Sequence, residues 1–286
     1  MCYHSNPGTA NSMAEHTSEI KTEVEPTEKA IARGFRLLED ARTRGGVTVR
    51  DEQHEFAWLL DAAHLARRRG RRFRLVDSGA FDAFSLEWLA AAGADLYTSD
   101  DVRPDVFDLV RLRSAGRSSG AFVAFFHYGP LKTGEDGGGR GPEFLRELLL
   151  GGVDVHLSNR RKARGIEVLS GLALSRRAGV SELVYYHHGP LGPEVEALSD
   201  AGAWVHIEDA ALDLKEDSAR IIDLGRAFRV ARGGLVLRLE KETDERIVED
   251  FQKAGVHVLE MIPDRFPETG KSLPPRAYYL DTTFMP

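Results

Sequence analysis

From residue 72 onward, short apolar runs of strand length alternate with longer runs whose apolar residues recur at helical spacing. The pattern predicts strands at 73–78, 94–99, 121–127, 153–158, 182–187, 203–208, 234–239 and 256–261. Helices are predicted between them at 84–92, 105–115, 142–150, 165–178, 193–201, 215–231 and 244–254. Two further helical patterns, 27–43 and 50–69, precede the first strand. Glycines at 93, 152, 179, 202, 233 and 255 fall where helix ends are expected, a common C-terminal stop. Residues 1–26 are polar and without period and are read as a disordered tail.

A phrase recurs four times across this pattern. It reads Ala92-Gly93-Ala94-Asp95-Leu96-Tyr97, Gly151-Gly152-Val153-Asp154-Val155-His156, Ala201-Gly202-Ala203-Trp204-Val205-His206 and Ala254-Gly255-Val256-His257-Val258-Leu259. Its glycines stand 59, 50 and 53 residues apart, so each copy opens a unit of two strands and two helices. A second phrase lies between the copies: Phe125-Phe126-His127-Tyr128-Gly129-Pro130-Leu131 is echoed by Tyr185-Tyr186-His187-His188-Gly189-Pro190-Leu191. Alternating strands and helices imply a parallel sheet. Eight strands in two-strand units resemble a TIM barrel over residues 72–266, and the expected fold is α/β, a single (β/α)8 barrel. On that reading 27–71 are N-terminal helices packing on the barrel. Residues 267–286, with Pro267, Pro274, Pro275 and Pro286, form an extended tail in place of the last helix. A doubly wound open sheet is the alternative.

In such barrels chemistry sits at the C-terminal ends of the strands. Alternation sharpens the candidates there: Val155 and Leu157 oppose His156 and Ser158, Val205 and Ile207 oppose His206 and Glu208, and Leu237 and Leu239 oppose Arg238 and Glu240. The polar sets are expected to point into the barrel. His127, His156, His187 and His206, with Asp77, are candidate ligands for a divalent metal such as zinc, manganese or iron. Glu208, Arg238 and Glu240 are candidate catalytic groups. Tyr97, Asn159, Arg160 and Arg161 are candidates for holding a polar or anionic substrate.

Three functions fit: a metal-dependent hydrolase, a metal-free acid–base lyase or isomerase, and a non-catalytic barrel that binds a ligand or partner. No His-x-His on the first strand marks an amidohydrolase, and no phosphate-cradling glycine loop is present. The glycine-rich stretch 132–141 reads as a lid or a plain insertion.

Composition narrows the partners. A formal net charge of −7 argues against nucleic acid, and no apolar run approaches a membrane span. Cys2 is the single cysteine, which excludes an intrachain disulfide and a thiolate metal cluster. A cytoplasmic protein acting on a small molecule, alone or as a homo-oligomer, is the expectation.

Overall fold

The computed structural model describes residues 27–129, 141–160, 164–177 and 180–260. The strands are β1 Gly46–Arg50, β2 Arg72–Val76, β3 Ala94–Ser99, β4 Val123–Phe126, β5 Asp154–Ser158, β6 Leu183–Tyr186, β7 Trp204–Glu208, β8 Gly234–Leu239 and β9 His257–Glu260. The helices are α1 Thr27–Thr43, α2 Phe56–Arg68, α3 Ala83–Ala92, α4 Val106–Gly116, α5 Pro142–Gly151, α6 Ile166–Ser175, α7 Pro193–Ala201, α8 Ser218–Val230 and α9 Glu245–Ala254. All pair in parallel, and the strand order follows the chain from β1 to β9 without reversal. A doubly wound sheet needs a point where the order reverses. Winding in one direction with right-handed crossovers instead puts every helix on one side. The fold is therefore an α/β barrel of the TIM type.

All eight expected strands are present as β2 to β9. The ninth, β1, lies inside the segment expected to hold only helices. Its sequence, Gly-Val-Thr-Val-Arg, alternates as a strand should, with Val47 and Val49 on the helix side. The helical pattern read from residue 50 masked it. Asp51–Gln53 form a 3-10 turn and α2 begins only at Phe56. The tails 1–26 and 267–286 and the stretch 132–140 lie outside the described residues.

Each strand divides its side chains between two cores. Toward the helices point Phe73, Leu75, Leu96, Val123, Phe125, Val155, Leu157, Val205, Ile207, Leu235 and Leu237, all in one continuous apolar cluster. Into the barrel point Val76, Tyr97, Ala124, Phe126, Val184, Tyr186, Trp204, Val236 and Leu259, a second and separate cluster. The expected alternation of β5, β7 and β8 holds.

The repeat glycines end α3, α5, α7 and α9 in the left-handed conformation, with φ of +115° at Gly93, +92° at Gly152, +79° at Gly202 and +95° at Gly255. The expected stop at Gly233 is different. Arg232 takes the positive φ, and a Cβ on Gly233 would lie 2.2 Å from the carbonyl oxygen of Ala203. Close passage against the start of β7 explains that glycine. Gly179 lies outside the described residues.

The two-strand repeat has a physical counterpart at both rims. Where a parallel strand ends, the loop beyond it loses its ladder partners. Here a side chain at the end of each odd strand accepts from the loop amide beyond the next even strand. Asp51 accepts from Ser78 N at 2.9 Å, and Asp100 from Tyr128 N at 3.1 Å and Gly129 N at 2.9 Å. Asn159 accepts from His188 N at 2.7 Å, and Asp209 from Lys241 N at 2.9 Å. At the opposite rim Asp95 accepts from Phe122 N at 3.2 Å and Asp154 from Glu182 N at 2.8 Å. Much of the acidity at the strand ends is thus structural. Asp100→Ala is expected to destabilise the fold by about 2 kcal/mol, because two amides lose their acceptor. Urea unfolding measures this, with Asp100→Asn, which keeps an acceptor oxygen, losing less.

Candidate active site at the C-terminal mouth

Glu208 ends β7 and Arg238 lies opposite it on β8 in the strand register. Both face the interior, two residues beyond His206 and Val236. The Arg238 guanidinium makes a close ion pair through Nη2 with Glu208 Oε1, and its side chain is only 2% exposed. A buried guanidinium needs such a partner, since an unpaired charge there would be strongly destabilising. The same Glu208 oxygen stands 3.1 Å from Nδ1 of His188. His188 lies two residues beyond Tyr186 on the interior side of β6, and Asn159 fixes its backbone by accepting from its N–H and donating Nδ2–H to its carbonyl at 2.9 Å. Nε2 of His188 is buried and has no hydrogen-bond partner among the described residues. Burial pushes the Glu208 carboxyl up, but the His188 hydrogen bond and the Arg238 charge outweigh it and hold the group below the ordinary glutamate value.

Beneath this cluster four rings run across neighbouring strands. Phe126 stacks on His156 at 4.3 Å between centroids, His156 on Tyr186 at 5.9 Å, and Tyr186 lies tilted on His206 at 4.8 Å. His156 Nδ1 stands 2.9 Å from the Tyr186 hydroxyl. Complete burial disfavours the imidazolium and lowers the His156 pKa from 6.5 to about 3.

The other expected site residues divide by strand parity. His156 and His206 do face inward, as does Tyr97. However, Tyr97 lies deep between Phe122 and Phe126 and is 1% exposed, below the mouth. His127 and His187 sit one residue past β4 and β6, on the helix side, in equivalent places but with different partners. His127 Nδ1 stands 2.9 Å from Asp100 Oδ2, and His187 Nδ1 stands 3.2 Å from Glu194 Oε1. Asp77 is held by Arg103 Nε at 2.5 Å and Thr98 Oγ1 at 2.8 Å.

The five candidate metal ligands are therefore not brought together. The Tyr186 ring separates the two interior histidines, and among the described residues no three His, Cys, Asp or Glu side chains form a metal-holding group. The described residues at this mouth do not form a metal-holding group. Asn159 is taken up by the His188 backbone. Arg160 is exposed at the rim, Glu240 is exposed just past β8, and Arg161 lies outside the described residues.

The residue missed from the sequence is His188. The signal was its place in the echoed phrase, where His127 matches His187 but Tyr128 matches His188. Of the positions that differ between the copies, this one faces inward at the mouth.

No family model matches the chain, and no curated protein matches it. Solved structures to which it is similar include a protein described as a mandelate racemase/muconate lactonizing enzyme from Sorangium cellulosum. That match has 19% identity and a TM-score of 0.37, and covers 74% of this chain and 52% of that one. The chain thus spans about half the length of that relative. The 3-dehydroquinate dehydratase of Aquifex aeolicus VF5 is similar at 14% identity and a TM-score of 0.34, covering 78% and 94% of the two chains. Among the described residues no helix is long and apolar enough to cross a membrane.

The buried His156 makes stability depend on pH. The unfolded chain takes up a proton on this residue near pH 6.5, whereas the folded chain resists doing so until about pH 3. Stability therefore falls as pH drops between those values. The stability difference between the parent and His156→Phe is expected to shrink by about 2 kcal/mol between pH 7 and pH 5. Urea unfolding of both proteins at the two pH values reads the difference, and a constant difference would show that His156 charges freely in the fold. The comparison cancels the acid sensitivity of Glu208, which both proteins share.

Proposed function

We propose that the barrel is an enzyme that moves a proton on a small polar or anionic molecule by metal-free acid–base chemistry at its C-terminal mouth. The observation that carries this reading is the arrangement of Arg238, Glu208 and His188. Arg238 keeps Glu208 ionised, and an ionised Glu208 accepts from Nδ1–H of His188. That tautomer leaves the Nε2 lone pair unengaged, the condition a general base requires. When Nε2 takes a proton, the Glu208 carboxylate stabilises the resulting imidazolium. Glu208 thus acts as a positioning and electrostatic partner, and His188 as the base.

Lyase or isomerase chemistry follows from such a base when the substrate carries an acidic C–H beside a carbonyl or carboxylate. Arg160, exposed at the rim directly after Asn159, is suited to hold an anionic group at the mouth.

Deuterium exchange tests the reading without knowledge of the product. A panel of small keto and hydroxy acids is incubated with the protein in D2O and followed by proton NMR. At least one compound is expected to exchange a C–H. His188→Ala is expected to slow that exchange by about 10²- to 10⁴-fold, the usual contribution of a general base. Glu208→Gln is expected to slow it as well and, because Arg238 loses its counter-ion, to lower the unfolding midpoint, so the rates are compared at a temperature where circular dichroism shows the variant folded. Exchange that survives His188→Ala, or no exchange by any member of the panel, would overturn the assignment.

A further inference from the structure

The strands all run the same way, so each outer helix returns against them and ends at the rim where the strands begin, opposite the mouth. Three aliphatic side chains stand exposed in the last turns that reach this rim. Leu150 near the end of α5 is 53% exposed, Leu174 near the end of α6 is 74%, and Val230, which ends α8, is 85%. Leu174 and Val230 are the most exposed large apolar side chains among the described residues. Hydrogen bonds tie the three helix ends into one arc. Arg177 donates from Nη1 to the Leu150 carbonyl at 3.5 Å, and Arg176 donates from Nη2 to the carbonyl of Ala231, next to Val230, at 3.1 Å.

The same rim is basic. Arg67, Arg68, Arg69, Arg117, Arg229 and Arg232 are exposed in the last helical turns or the connections that follow them, and none has an acidic partner among the described residues. Acids are scarce there: Asp40 is bound to Arg44, Glu182 to Arg176, and Asp200 is exposed. Cations suit the negative end of a helix, which accounts for some of these arginines. That effect gives no reason to expose Leu174 and Val230 beside them. Aliphatic side chains set among cations suit an anionic bilayer, where apolar atoms enter the acyl boundary and guanidinium groups meet the headgroup phosphates. Nucleic-acid phosphates would also meet the arginines but would leave the aliphatics exposed. The aromatic residues of these turns and connections that could stack on bases, Phe122, Phe228 and Phe251, are buried.

We propose that this rim docks peripherally on an anionic lipid surface. Leu150, Leu174 and Val230 enter the interface, and Arg177, Arg229 and Arg232 lie against the headgroups. The formal net charge of −7 does not oppose the contact, because charge is divided between the two rims. Asp108, Glu143, Glu167, Glu194 and Glu245 all lie in first helical turns, at the mouth. The mouth is at the other ends of the strands, so docking leaves His188 and Glu208 facing solution.

Vesicle co-sedimentation of the full chain tests this. Binding is expected to phosphatidylcholine vesicles that carry phosphatidylserine, and not to vesicles of phosphatidylcholine alone. Arg229→Ala combined with Arg232→Ala is expected to weaken binding about thirtyfold, the effect of two arginines near an anionic surface. Lys241→Ala combined with Arg246→Ala removes the same charge at the mouth and is expected to leave binding unchanged. Leu174→Ser combined with Val230→Ser is expected to weaken it about tenfold through lost apolar burial. All six side chains are exposed, so each variant is expected to keep the parent's unfolding midpoint. No binding to the phosphatidylserine vesicles, or equal weakening by the two charge-removing pairs, would overturn the proposal. Loss with Arg229→Ala and Arg232→Ala but not with Leu174→Ser and Val230→Ser would assign the rim to a soluble polyanion and overturn it as well.

Discussion

A parallel strand gives its hydrogen-bonding groups to two neighbours only while it runs alongside them, and beyond its end the loop amides must find other acceptors. In this barrel the acceptors are side chains on the preceding odd strand. Asp51, Asp100, Asn159 and Asp209 do this at one rim, and Asp95 and Asp154 at the other. The consequence is a fold stitched in pairs of strands, which is the period of the repeated sequence phrase. The same ties set the geometry of the mouth. Asn159 holds the backbone of His188 at two points, and that leaves the imidazole little freedom in how it approaches Glu208.

The buried guanidinium of Arg238 imposes a second requirement. A charge with a 2% exposed side chain is tolerable only beside a counter-ion, and Glu208 is that counter-ion. The ion pair has two effects. It offsets the desolvation of the arginine, and it holds Glu208 in the ionised form that can accept a hydrogen bond from His188. Stability and site chemistry therefore depend on one carboxylate, so substitutions there change both.

The repeats keep their scaffold and vary their chemistry. In both copies of the second phrase the first histidine is buried on the helix side against a carboxylate, Asp100 in one case and Glu194 in the other. The next residue faces the interior, and there the copies part: Tyr128 packs on the interior apolar cluster while His188 meets Glu208. Likewise Asp95 and Asp154 tie loop amides, whereas their counterparts Trp204 and His257 pack ring to ring at 5.3 Å. The repeated phrases occupy equivalent positions, and the differences at the inward ones make the mouth asymmetric.

The eight later strands, their parallel arrangement and the inward direction of His156, His206, Glu208 and Arg238 were legible in the sequence. They follow from local patterns, the alternation of a strand and the period of a helix, that need no knowledge of neighbours. β1 was obscured because its five residues run directly into a helical pattern. Which histidines meet was not legible. His127 and His187 lie one residue past their strands, where alternation no longer assigns a side. Their carboxylate partners come from other elements, one of them about 27 positions distant in the chain. The tertiary structure alone decided that these two turn toward the helices and that Tyr186 stands between His156 and His206. It also decided that His188 reaches Glu208, because each of these outcomes depends on the spacing of neighbouring strands and helices, which local sequence patterns do not encode.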